Sequence, residues 1–322
     1  MRRRTRPPIP PLPQRRGVDP VRVRLPGSGT WATVRDHLVD RFGAAVPPER
    51  VDAMFAAGEV HGADGPLAPD AAYRPGGHVW FHRELPQEVP VPFAIEVLHR
   101  DDRLLVVDKP HFLATMPRGG HVVETALSRL RHDLALPELS PAHRLDRLTA
   151  GVVMFVIRPE LRGAYQTIFR DRLVHKEYEA LAGHDPSLAL PRTVESRIVK
   201  ERGEMAAREV PGEPNARSHV QLVEPPDHRG GPARYRLRPE TGRTHQLRVH
   251  MNTLGVPILG DPVYPHVLPP AAPGDFSRPL QLLARVLEFD DPVTGERRRF
   301  ESRRTLFTRW PPGAGTPDGA PG

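Results

Sequence analysis

The most constraining stretch of the chain is residues 151–157, Gly-Val-Val-Met-Phe-Val-Ile. A run this apolar and this short reads as a strand buried on both faces. Directly before it stand His143-Arg144-Leu145-Asp146-Arg147-Leu148-Thr149-Ala150. Any fold that buries the strand therefore carries a carboxylate, held between two arginines, to the strand's mouth. Positive neighbours favour the ionised carboxylate even where it is partly buried. Such a group serves as nucleophile, base or metal ligand, or as half of an Arg–Asp pair that only pins a loop.

Other segments follow the same logic. Residues 104–107 read as a short buried strand ending at Asp108-Lys109-Pro110. Residues 123–130 and 161–169 read as helices, and 175–181 and 233–237 as strands. Thr244 is the expected cap of a helix on which Leu247, Met251 and Leu254 share one face, with Gly255 ending it. His245, Arg248 and Asn252 lie off that apolar stripe and are free to face a cleft. His245 and His250 are five apart and share no face well, and no third ligand is evident, so no metal is assigned.

The amino-terminal part is different in texture. Residues 1–24 are rich in Arg and Pro and are expected to form a disordered basic arm. The net charge is +7, and this arm, with eight arginines and one aspartate, accounts for all of it. The remainder is balanced, so overall basicity says little about a nucleic-acid face; the arm itself suits phosphate. Thr33 caps an expected helix with Val34, Leu38 and Phe42. Pro47 and Pro48 open a second with Val51, Met54 and Phe55, closed by Gly58. Short β pieces are expected at 59–60 and 78–81. Residues 25–84 thus form a small module, 85–94 a Pro-containing linker, 95–309 the main domain and 310–322 a disordered tail.

Cysteine is absent, which excludes disulfides, a thiolate nucleophile and Cys-ligated metal. No secretory signal or membrane-length apolar run is present, so the expected setting is the cytoplasm and the expected state a monomer. Lysine occurs only at Lys109, Lys176 and Lys200.

As an ordered set the motifs are specific. His-Arg-Leu-Asp-Arg-x-Thr-x-Gly before the buried strand, then Lys176-Glu177-Tyr178, then Thr241-Gly-Arg-Thr-His-Gln-Leu-Arg-Val-His250, then Leu-Gly-x-Pro-Ile-x-Gly-Asp261-x-x-Tyr264 closely resemble the RluA-type pseudouridine synthases. The resemblance runs from about residue 95 to 309. It implies an α+β fold: a central mixed, mostly antiparallel sheet flanked by helices, with RNA, ribosomal or transfer, across the middle. It implies Asp146 as the nucleophile or base that starts glycosidic cleavage, paired with Arg248, and Tyr178 stacked on the target base and helping to remove its C5 proton. Arg144 would hold the flipped nucleotide and Leu282 would pack beneath it. His143, Arg147, Lys109, Lys176, Arg243 and His245 complete the implied substrate-binding set, with no cofactor. Four positions depart from the family pattern: Leu148 stands for Asp, Ala150 for Ser, Phe112 for the Gly of the Lys-Pro-x-Gly element (here Lys109-Pro110-His111-Phe112), and Leu283 for His. The family's Leu-His-Ala is here Leu282-Leu283-Ala284.

Residues 30–84 resemble an S4-type RNA-binding domain with few net basic positions. The alternatives left open are a non-catalytic RNA-binding protein keeping this fold and a glycoside hydrolase using a second carboxylate such as Asp261.

Overall fold

The computed structural model describes residues 9–227 and 231–307. The chain divides into two compact units, residues 1–86 and 87–322.

In the first unit, strand β1 (Val21–Arg24) pairs antiparallel with β2 (His78–Phe81). Between them run helices α1 (Val34–Phe42) and α2 (Pro48–Ala56). Thr33 and Asp36 form a reciprocal capping box at the start of α1. Val23, Leu38, Val51 and Phe55 are among the side chains that close the core. Strand β1 corrects the expectation of a disordered arm over residues 1–24. Val21, Val23 and Leu25 alternate with Arg22 and Arg24, a period-two pattern hidden by the arginine-rich composition. Residues 1–8 lie outside the described part. Residues 59–60 are not a strand, although His61 bridges to Trp80. The cations are partly spent internally, Arg35 on Asp52 and Arg50 on Glu84.

The second unit is built on one mixed sheet. Its strands are β3 (Glu96–Arg100), β4 (Leu104–Lys109), β5 (Ser140–Pro141), β6 (Ala150–Val156), β7 (Val174–Ala182), β8 (Arg192–Val199), β9 (Arg208–Val210), β10 (Ala216–Glu224), β11 (Ala233–Pro239), β12 (Leu282–Asp290) and β13 (Arg297–Glu301). The order across the sheet is β3-β4-β6-β12-β7-β11-β10-β8-β9, with β5 on β6 and β13 on β12. Only β6 and β12 pair in parallel; the other pairs are antiparallel. Helices α3 (Ala126–Asp133), α4 (Arg162–Arg170) and α5 (Gln246–Thr253) pack against it.

Every residue of β6 is buried. Gly151 near its start has φ +114, and a Cβ there would lie 2.2 Å from the Ala284 carbonyl oxygen of β12. Glycine is thus what lets β4 and β12 close on both sides of β6.

Two helix starts differ from expectation. Thr125, not Val123, opens α3, its hydroxyl accepting from the Ser128 amide. His245, not Thr244, precedes α5, and it sits in the left-handed region at φ 57. The Gln246 side chain takes over the polar work there. It accepts from the Arg243 amide and the Thr241 hydroxyl and donates to the Arg217 carbonyl. The expected linker is also shorter than 85–94, because Glu88 accepts from the amides of Val122 and Val123, and Val91 is buried in the core. Residues 310–322 lie outside the described part.

Candidate active site

A cleft of about 800 Å³ opens over the middle of the sheet in the second unit. Asp146, Arg144, Tyr178, Arg248 and Leu282 all line it. They come from four separate pieces of sequence: the loop before β6, β7, α5 and β12.

The Asp146 loop is held from behind by the segment that follows β4. The Thr115 hydroxyl donates to the Leu145 carbonyl at 2.8 Å and accepts from the Leu145 amide at 3.1 Å. His111 Nδ1 donates to the Leu148 carbonyl at 2.8 Å. Lys109 Nζ lies 3.4 Å from the Arg147 carbonyl and donates to those of Pro110 and Leu113 at 3.0 and 2.7 Å. Within the loop, the Thr149 amide donates to the Asp146 carbonyl. Every backbone tie flanking Asp146 is therefore specified by a side chain or by the turn itself, so the carboxylate sits on a fixed base.

Lys109 accordingly corrects its expected role. It is fully buried, absent from the cleft wall, and pulled down to about 7 by burial, with Asp146 the strongest opposing influence. It buttresses the loop and cannot reach RNA. His143 is also a tie: its Nε2 accepts from the Met154 amide at 3.1 Å and its ring stacks on Phe169. Burial pulls it to about 3, so it is a neutral imidazole.

In front of the loop, Arg248 is nearly sealed from solvent. Its Nε and Nη2 donate to the two oxygens of Asp261, both at 2.7 Å. Asp261 also accepts from the amides of Val263 and Tyr264. The remaining nitrogen, Nη1, faces Asp146 Oδ2 at 3.7 Å. The expectation that Arg248 pairs with Asp146 thus needs a correction of rank. Its hydrogen-bonded partner is Asp261, and Asp146 receives a longer, purely electrostatic contact. Tyr264 lies under the guanidinium, 5.2 Å from the ring centre.

Tyr178 bridges the two hydrophobic clusters on either side of the cleft. Burial, and secondarily the charge of Asp146, pushes its phenol well above the ordinary value, so it is protonated at neutral pH. Leu282 forms floor, 3% exposed. Lys176 donates to the Thr241 carbonyl and Arg243 to that of Asn215. Arg147 reaches toward the Phe112 carbonyl. Arg144 is exposed, with no ion-pair partner among the described residues. Arg118 and Arg172 also line the cleft. They lie outside every motif, and nothing in the sequence singled them out.

Comparison with known proteins points to one family. The sequence profile of RNA pseudouridylate synthases matches residues 103–253. Ribosomal large subunit pseudouridine synthase D of Pseudomonas aeruginosa is 33% identical over 65% of this chain and 68% of its own length. The dual-specificity RNA pseudouridine synthase RluA of Pasteurella multocida is 34% identical over 63% of this chain and 90% of its own. The chain belongs to the RNA pseudouridine synthase family.

Among solved structures, human RNA pseudouridylate synthase domain containing 4 superposes with a TM-score of 0.50 at 26% identity, covering 66% of this chain and 88% of that one. The family fold therefore extends over the unit that carries Asp146. It is an isomerase fold, and the expected mixed, mostly antiparallel sheet is the one observed. Among the described residues no helix is long and apolar enough to cross a membrane.

Proposed function

We propose that this synthase isomerises uridine to pseudouridine in ribosomal or transfer RNA, with Asp146 starting the reaction. The carrying observation is the ionisable, loop-fixed carboxylate of Asp146, 3.7 Å from the buried Arg248 guanidinium, in a cleft rimmed by arginines. The names of the relatives, a synthase of the ribosomal large subunit for one and a dual-specificity RNA synthase for the other, support this choice.

The chemistry is a rearrangement. The N1–C1′ bond breaks, the uracil turns, C5 bonds to C1′, N1 gains a proton and C5 loses one. The target base leaves its stack first, at a cost of a few kcal/mol. Arg144, exposed on the cleft wall and with no ion-pair partner among the described residues, is placed to hold the vacated or flipped nucleotide. Asp146 attacks or assists at C1′, and the fixed charge of Arg248 keeps the carboxylate oriented. Tyr178 packs against the uracil, its phenol pushed up by burial and secondarily by the charge of Asp146, and is the candidate group nearest the C5 proton. The first unit, with its S4-like helices, is the proposed accessory RNA contact.

The test is release of tritium from RNA labelled at uridine C5, using ribosomal and transfer RNA pools. Native protein is expected to release label from at least one pool, and Asp146→Ala from neither. No release by folded native protein from either pool would overturn the reading.

A further inference from the structure

The geometry points to His245 as a substrate-contacting residue whose Nε2 accepts a hydrogen bond from the ribose 2′-hydroxyl of the target nucleotide. This rests on the synthase reading above and adds to it how the site recognises the sugar.

Tyr264 decides the tautomer of the imidazole. Its hydroxyl has one hydrogen, and the buried Ala207 carbonyl lies 2.8 Å away to receive it. The Ala207 amide donates back to the same oxygen at 2.8 Å. His245 Nδ1 lies 3.1 Å from that oxygen. With the phenol hydrogen spent on Ala207, Nδ1 must be the donor. Reversing this bond would leave a buried backbone carbonyl without its partner. Burial, and then the charge of Arg248, pull the imidazole down to about 4, so a single ring proton is present at neutral pH. That proton sits on Nδ1, and Nε2 carries a lone pair.

The lone pair faces Asp146. Nε2 is 3.9 Å from Asp146 Oδ2. Two acceptors stand across a gap too long for a direct bond, with no proton of their own to share. A hydroxyl seated in this gap has one hydrogen to give, and Nε2 accepts it while the carboxylate is left free to address the sugar. When Asp146 addresses C1′, the hydroxyl on the adjacent carbon, O2′, is the nearest donor the substrate has. The 2′-hydroxyl is also the group by which a protein separates RNA from DNA. The backbone agrees: His245 is held at φ 57 and ψ 17, a sparsely populated conformation that persists where the surroundings enforce it.

The test uses a short RNA taken from whichever pool releases tritium. The target position carries either uridine or 2′-fluorouridine, which keeps the ribose pucker but donates no hydrogen bond. Dissociation constants are measured on the Asp146→Ala background, so that neither RNA turns over. With His245 present, the fluoro RNA is expected to bind about five- to tenfold more weakly, the weight of one hydrogen bond. With His245→Asn the two RNAs should bind alike. Asparagine tolerates the left-handed backbone and keeps a donor where Nδ1 stands, so the Tyr264 contact survives and only the Nε2 acceptor is lost. Tyr264→Phe, which frees the ring to change tautomer, should narrow the gap without abolishing binding. An equal gap with and without the His245→Asn change overturns the inference, as does no gap in either protein. If native protein releases no tritium at all, it is the synthase reading that fails.

Discussion

Substitution of Asp261 by asparagine separates the two jobs of the Arg248 contact. The change is nearly isosteric, but the oxygens receiving Arg248 Nε and Nη2 at 2.7 Å lose their charge, and one is replaced by a donor facing a donor. The Asp261 side chain is fully buried and that of Arg248 is 3% exposed, so water cannot take over. Removing one member of a buried pair costs about 3–5 kcal/mol. For a unit of this size each kcal/mol moves the melting midpoint by about 2–4 °C, so the drop should be about 6–20 °C. Release of the guanidinium also loses its aim at Asp146, and misplacement of that order costs about a hundredfold in rate. Thermal unfolding followed by circular dichroism reads the first effect, and initial rates of tritium release read the second. The double change Arg248→Met with Asp261→Leu should recover part of the stability and none of the rate, because it removes the uncompensated charge and the catalytic contact together. A single Asp261→Asn variant that melts within about 2 °C of native protein and keeps its rate would refute the view that Asp261 holds Arg248 in place.

Gly151→Ala should cost at least about 3 kcal/mol, since it combines φ +114 with a Cβ 2.2 Å from the Ala284 carbonyl oxygen; denaturant titration of soluble variant reads the loss. Lys109 imposes a pH slope. Its folded value of about 7 lies below the ordinary 10.5, so between these limits the unfolded chain holds a proton that the folded chain does not. The burial penalty is full below about pH 7 and fades as pH rises, so stability relative to Lys109→Met should increase by up to about 1.4 kcal/mol per pH unit over that window. Urea midpoints of both proteins at pH 6.5, 8 and 9.5 (about one step per 1.5 units) check this, and a flat difference would show the ammonium to be retained throughout.

Much of the site was legible because its motifs carry their own geometry. The apolar run of β6 and the Arg-flanked carboxylate before it are visible in the sequence, and the structure puts them where that pattern requires. What the sequence hides is direction. Nothing in Asp108-Lys109-Pro110 says that the ammonium turns inward to the loop carbonyls instead of outward to phosphate. The charge-rich strands were hidden for a related reason. β8 (RTVESRIV) and β13 (RRRFE) look like solvated loops until their partners are known. On the sheet, Arg297 of β13 meets Glu288 of β12, and Glu195 of β8 meets Arg217 of β10.

The departures from the family pattern are also physical statements. Where the family places glycine, Phe112 keeps the left-handed backbone at φ 67, and its ring packs against Phe93 and Phe276. The chain retains the turn that glycine would make easy and offsets its strain with buried aromatic area. Leu148, where the family has aspartate, packs between both hydrophobic clusters, and its carbonyl still receives His111. In each case the backbone position is kept while the side chain changes, which is what a loop requires when its purpose is to hold one neighbouring carboxylate still. The segment around Lys109, the Asp146 loop and the start of α5 are far apart in sequence. They belong together because the first supports Asp146 from behind, the second carries it, and the third supplies the charge it faces. A chain keeping only one of the three would have no physical reason to keep its form.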